Sequence, residues 1–201
     1  VQGAYCKSFT NKQWPGKAGV LFVNVLRMKN IPKNVGLLLL LATTMAFAPT
    51  YNGSKSPYYV VVEKSQNTIT LYDNDDWVVQ WPCTFGSDDL SDKKYQGDRR
   101  TPEGRFTILR KYNHAKWHKM LMLDYPTDAD RAKFEARKRS GEIPASAKIG
   151  GDIGIHGTWP REDWAIENLQ SWTQGCISMR NDHLDELYNM VGEGTVVIVK
   201  R

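Results

Sequence analysis

His156 is followed, after sixteen residues, by Thr173-Gln174-Gly175-Cys176, so one segment carries an imidazole, a thiol and a glycine-led turn. A thiol attacks a carbonyl carbon as its thiolate. A neighbouring imidazole can take the thiol proton and later return it to a leaving amine. Gly175, without a Cβ, lets the chain turn sharply before the sulfur and aims backbone amides at a developing oxyanion. The plainer reading of the same residues is a packed cysteine and a hydrogen-bonded structural histidine, and spacing alone does not exclude it. A different chemistry starts from His114 and His118, four residues apart as two metal ligands on one helical face would be. Ala115 stands where a His-Glu-x-x-His site needs its glutamate, which leaves that reading weak.

Upstream, Gly97-Asp98-Arg99-Arg100-Thr101-Pro102-Glu103-Gly104-Arg105-Phe106 reads as a turn that runs into a strand. Pro102 presets φ, Gly104 can take positive φ, and Phe106, Ile108 and Leu109 supply the apolar start of the strand.

The stretch from Ile153-Gly154-Ile155-His156-Gly157-Thr158 to Gly175-Cys176-Ile177-Ser178-Met179-Arg180 resembles the signature of the L,D-transpeptidase (YkuD-like) catalytic domain, and the 97–106 segment is similar to that family's Gly-Asp-x-x-Thr-Pro-x-Gly segment. Gln174 replaces the family's second His, and Ser178 replaces Asn. The resemblance implies a mainly β domain, a β-sandwich with a few short helices, over residues 58–201. It implies Cys176 as nucleophile and His156 as base, the imidazole oriented by the backbone carbonyl of Gly157. It further implies Gly175 and Cys176 amides as oxyanion donors, with the Thr173 or Ser178 hydroxyl beside them. Arg180, four residues past the thiol, reads either as a partner for a substrate carboxylate or as a surface arginine before a helix. The expected substrate is a peptidoglycan stem peptide, cut between its diamino acid and D-Ala. The acyl group passes to a second stem, to a wall-linked lipoprotein or to water. No metal or other cofactor is called for. A silent module that only holds wall peptide is the competing reading for the same fold.

The elements that must position these residues are short. Tyr58 to Glu63 and Thr68 to Tyr72 are rich in β-branched and aromatic residues and flank a polar Lys64-Ser65-Gln66-Asn67 turn, which predicts a hairpin. Trp77 to Trp81 predicts a third strand, ending near Cys83, a small packed residue. A polar loop follows over 87–100, then a strand from Arg105. Thr195 to Val199 is apolar enough for a central closing strand. A surface helix is predicted over Asp128–Arg139 with Asp128 as its N-cap, inside a long excursion over 111–148 that could overhang the site. A second helix is predicted after Asp182, with Leu184, Leu187, Tyr188 and Val191 on one face. Trp159, Trp164 and Trp172 lie between base and nucleophile, as candidate walls of a peptide groove.

The first 48 residues hold six of the 27 basic side chains and none of the 22 acidic ones. Within them, 28–48 reads as a signal-peptide-like segment: basic start, apolar Leu-rich run, and Ala46-Phe47-Ala48 where a peptidase would cut. Residues 49–57 read as a linker. Export to the periplasm or cell envelope is the expectation, with membrane attachment only through an uncleaved leader. Without the leader the charge is near neutral, so the basic balance gives no support to a nucleic-acid partner.

Overall fold

The computed structural model describes residues 57–201. The leader read over 1–48, and all of the linker but Pro57, lie outside the described residues.

Eight strands form one hydrogen-bonded series: β1 (Tyr58–Glu63), β2 (Thr68–Asp73), β3 (Asp76–Pro82), β4 (Gly104–His114), β5 (His118–Leu123), β6 (Gly154–His156), β7 (Ile177–Ser178) and β8 (Val196–Lys200). Their order is β3-β2-β1-β8-β4-β5-β6-β7, so β8 is central, as its apolar sequence predicts. The pairs β1·β8 and β6·β7 are parallel and the others antiparallel. The long β4 belongs to both halves. Gly104 to Thr107 pair with β8, and Ile108 onward pairs with β5 across an irregularity between Ile108 and Arg110. Such bulges bend a strand and re-aim its side chains. Val60, Val62, Ile69 and Leu71 of one half share a single buried cluster with Leu121, Leu123, Ile155 and Ile177 of the other, so the halves form two layers over one core. The two ends of the series also meet. Thr84, just past β3, bridges Ser178 of β7 through backbone bonds of 2.8 and 2.9 Å.

The hairpin β4–β5 corrects the expected 111–148 excursion. Residues 111–114 and 118–123 are sheet, joined by a turn at 115–117, because the run Met120 to Leu123 is buried against the core. The excursion is therefore confined to 124–153 and carries α1 (Asp128–Arg139). The cap of α1 is Thr127, one residue before the expected Asp128. Its hydroxyl accepts from the Asp130 amide while the Asp130 carboxylate accepts from the Thr127 amide, a reciprocal capping box. Phe134 is the helix's buried apolar contact, and Lys133 and Arg137 tie it to Asp92 at 3.1 and 3.0 Å. A short α2 (Trp164–Glu167) was not anticipated. α3 (Asn181–Met190) buries Leu184 and Leu187 completely, and Val191 just beyond it almost so. Its N-cap is Arg180; Asp182 lies inside the first turn and accepts from Arg180 and from the His183 amide. Among the described residues no helix is long and apolar enough to cross a membrane.

Candidate active site

β6 and β7 set the stretches that carry His156 and Cys176 side by side. In their parallel register Ile155 faces Ile177 and His156 faces Ser178. Side chains alternate along a strand, so His156 and Ser178 project to the same side. Cys176 comes one residue before β7, and its sulfur takes a hydrogen bond from the amide of Gly154, two residues before His156. Gly154 is required there. A Cβ on it would stand 2.6 Å from Met120 Sδ and 2.8 Å from Leu121 O.

The imidazole is buried, and its Nδ1 lies 2.7 Å from the carbonyl oxygen of Gly157. A carbonyl can only accept, so Nδ1 carries the proton and Nε2 is left as the basic nitrogen. Burial pushes the His156 pKa down to about 4. The Gly157 carbonyl opposes that shift and His114 adds to it. The base is therefore neutral near pH 7. Gly157 is wedged as well as used: a Cβ on it would fall 2.0 Å from Asn181 Oδ1, which accepts from the Thr158 amide.

Cys176 is half-buried, and its thiol donates to the carbonyl of Asp152 at 3.4 Å. Burial raises its pKa above the ordinary thiol value. A hydrogen bond from the Gly154 amide and the charge of Lys93 oppose this, and Asp152 reinforces it. The resting pair is thus a thiol beside a neutral imidazole, not a preformed ion pair. Lys93 is buried, bonded to Asp98 at 2.6 Å, with its Nζ 3.5 Å from where a Gly175 Cβ would lie.

The turn before the sulfur is tightly bonded. Gly175 has φ +124. Its amide, expected among the oxyanion donors, donates to Thr173 Oγ1 at 3.2 Å, and that hydroxyl donates to Cys176 O at 2.7 Å. Thr101, from the Thr-Pro motif, donates its hydroxyl to Gly175 O at 2.9 Å. The Ser178 hydroxyl is buried and points at Gly157 O, 3.4 Å away. Thr173 and Ser178 thus brace the loop and the base's carbonyl anchor. Gly86 packs directly beneath this turn: a Cβ would lie 2.3 Å from Arg99 O, 2.5 Å from Thr173 O and 2.8 Å from Gly175 N. Arg180, a candidate partner for a substrate carboxylate, holds Asp182 with two contacts of 3.1 Å and also pairs with Glu167. Its charge is already met within the chain.

Of the three tryptophans read as groove walls, Trp159 and Trp172 meet at 4.4 Å with their planes tilted by 43°, Trp172 edge-on to His156, while Trp164 is exposed on α2. Trp117 was missed. It lies at the β4–β5 turn and stacks on His156 at 4.8 Å. The indole nitrogens of Trp117 and Trp172 are buried without a hydrogen-bond partner among the described residues, so ring faces hold this cluster. The apolar run after Trp117 signals a strand, but nothing in the sequence says which residue its turn would meet. His114 and His118 are not joined as ligands. His114 Nδ1 accepts backbone amides and His118 pairs with Asp185 at 2.6 Å. Among the described residues no group of three or more His, Cys, Asp or Glu stands together to hold a metal.

This geometry has relatives. The family model of the L,D-transpeptidase catalytic domain, YkuD, matches residues 57–199. The Bacillus subtilis protein YqjB, named for the L,D-transpeptidases, is 28% identical over 147 residues, covering 71% of this chain and 70% of that protein. Among solved structures, the helical cell shape determining protein Pgp2 of Campylobacter jejuni is similar with TM-score 0.53 and 21% identity, over 72% of this chain and 47% of that one. Bd1075 of Bdellovibrio bacteriovorus is similar with TM-score 0.52 and 19% identity, over 72% and 48%. The chain spans about half the length of these two structures, and at such identities they speak for the fold. The match over 57–199 together with the fold makes this chain a member of the L,D-transpeptidase (YkuD) catalytic domain family.

Proposed function

We propose that the chain is a cysteine acyltransferase acting on peptidoglycan stem peptides. The observation that carries this reading is the β6·β7 register, which sets the stretches carrying a neutral imidazole with a free Nε2 and a half-buried thiol side by side. As substrate binds, the thiol leaves the Asp152 carbonyl and gives its proton to His156 Nε2 while Sγ bonds to the carbonyl carbon of the diamino acid. The oxyanion is held by the Cys176 amide. The C–N bond to D-Ala then breaks, the imidazolium protonates the departing amine, and a thioester remains. An acceptor amine attacks the thioester carbonyl as it gives up a proton to His156, the C–S bond breaks, and the imidazolium returns that proton to the departing thiolate, restoring the thiol and the neutral base.

The acceptor is a second stem's side-chain amine, giving a 3→3 cross-link, or a lysine of a wall-linked lipoprotein; water would make the same site a hydrolase. A wall substrate calls for export to the periplasm or envelope, a reading supported by the signal-peptide-like sequence of 28–48. Pgp2 is named for helical cell shape, and a comparable effect on the wall fits this chemistry.

Intact-mass measurement after mixing with a tetrapeptide stem tests the proposal. A thioester adduct on Cys176 with release of D-Ala is expected, and product masses then separate cross-linked dimers from trimmed tripeptides. A protein that binds the stem, forms no adduct and releases no D-Ala is the silent module instead.

A further inference from the structure

Among the described residues the His156 imidazole has one hydrogen bond, from Nδ1 to the carbonyl of the very next residue. One bond fixes a point on a ring. It does not fix the ring's plane, and among the described residues no carboxylate is bonded to this imidazole to finish the task. The plane is set by faces. Trp117 lies between two imidazoles, 4.8 Å from His156 with 25° between the planes, and 4.4 Å from His114 with 6°. Trp172 meets His156 at 5.3 Å and 82°, closing the stack from the side, and Trp159 backs Trp172.

The backbone ties the same pieces together. Gly157 N donates to Trp117 O at 3.1 Å, so the residue that anchors Nδ1 is itself bonded to the residue that covers the ring. His114 Nδ1 accepts from the amides of Lys116 and Trp117, both at 3.2 Å, which shapes the hairpin turn around Trp117.

We propose that the tip of the β4–β5 hairpin is a positioning device for His156, in which Trp117 fixes the plane of the ring and His114 fixes Trp117. It rests on the acyl-transfer reading for its catalytic meaning. An indole face also suits the two states the base must pass through. It keeps water from the neutral ring, and it attracts the imidazolium formed when the thiol proton arrives. The other polar and charged groups around the base are Cys176 and Ser178 from the β7 side, His118 with Asp185 and Lys119 beyond Gly157, and Asp163 beside Thr158. None of these covers the ring face that Trp117 covers.

Two readouts test it on the full chain: turnover of a tetrapeptide stem against pH, and the NMR titration and tautomer of His156. Trp117→Ala is expected to lower kcat by roughly 10- to 100-fold with little change in KM, the size of loss expected for a misaligned catalytic group. It also lets water onto the ring, so the His156 titration rises from about 4 toward the ordinary histidine value, and activity fails at a less acidic pH. Trp117→Phe, which keeps a stacking face, restores most of both. His114→Ala gives the same pair of changes at smaller size. If Trp117→Ala does not fold, Trp117→Leu, which fills the space without an aromatic face, is measured in its place. An unchanged titration and kcat in the folded variant overturns the proposal. Because the titration needs no substrate, it decides this proposal even if the unaltered protein turns over no stem peptide, an outcome that would sink the acyl-transfer reading alone.

Discussion

The chain places two cysteines on neighbouring pieces of backbone and treats them in opposite ways. Cys83 immediately precedes Thr84, and Cys176 lies two residues before Ser178, the residue that Thr84 bridges. Cys83 is fully buried, its amide bonded to Asn67 O at 2.8 Å, and burial alone drives its thiol pKa far up. Cys176 is also raised by burial, but it has the Gly154 amide and the Lys93 charge working on the sulfur in the other direction. Depth in the protein therefore does not separate the two thiols. Donors and positive charge aimed at the sulfur, and a basic nitrogen on the adjoining strand, do.

The largest break in that contrast comes from exchanging the sulfurs for hydrogen. Cys176→Ala is expected to lower tetrapeptide turnover on the order of 10⁴-fold or more with its melting temperature kept, as for removal of a nucleophile that acts as part of a unit. Cys83→Ala keeps turnover and loses about 1 kcal/mol of stability in a denaturant titration. Equal turnover in both variants would remove the distinction.

The acidity of the two groups sharpens it. With a base near 4 and a thiol above its usual value, the unmodified protein is expected to hold kcat/KM steady across neutral pH and to lose it toward pH 4 as His156 takes a proton. The same group affects stability. The folded pKa is below the unfolded one, so the unfolded chain binds more protons in between, and stability present above about 6.5 is lost as pH falls toward 4. A preformed thiolate–imidazolium pair would instead show fast alkylation of Cys176 well below pH 7.

A smaller effect tests the charge behind the sulfur. Lys93→Met combined with Asp98→Asn removes the buried pair without leaving either charge alone, and the single asparagine oxygen can still accept the amides of Lys94 and Tyr95, which share one carboxylate oxygen in Asp98, while the Arg100 amide loses its acceptor. Iodoacetamide labelling of Cys176 near pH 8 is expected to slow several-fold, with labelling of Cys83 in the unfolded protein unchanged. The smallest effect is Thr173→Val, which removes an acceptor from Gly175 N and a donor to Cys176 O at nearly constant volume. About 1–3 kcal/mol of stability is expected to go, read in a thermal melt.

The long elements were legible because their patterns are long. β1, β2, β3 and β8 show in runs of β-branched and aromatic residues, and α3 in the spacing of Leu184, Leu187 and Val191. β6 and β7 have three and two residues, and one of these is fixed by what Gly154 must avoid, so no periodicity could mark them. The cap of α1 was readable, since Thr127 followed three residues later by Asp130 is a capping-box pattern, but Asp128 is a cap-former too and drew the boundary one residue late. His156 and Cys176 were singled out as candidates from residue type and motif. The residues that hold them were not, because Trp117, Lys93 and Asn181 act through contacts between segments distant in sequence. Arg180 shows the converse. A free arginine near a nucleophile suggests a ligand, and only the fold reveals Asp182 and Glu167 beside it.

Gly86 gathers this dependence into a single hydrogen atom. The loop after β3, the carbonyl of Arg99 from the Gly-Asp motif and the chain on either side of Gln174 converge on it closely enough that the smallest side chain would collide with three main-chain atoms at once. In a saturation library selected for wall-modifying activity, that codon should tolerate no replacement, even though the residue carries no chemistry and sits ninety positions upstream of the sulfur.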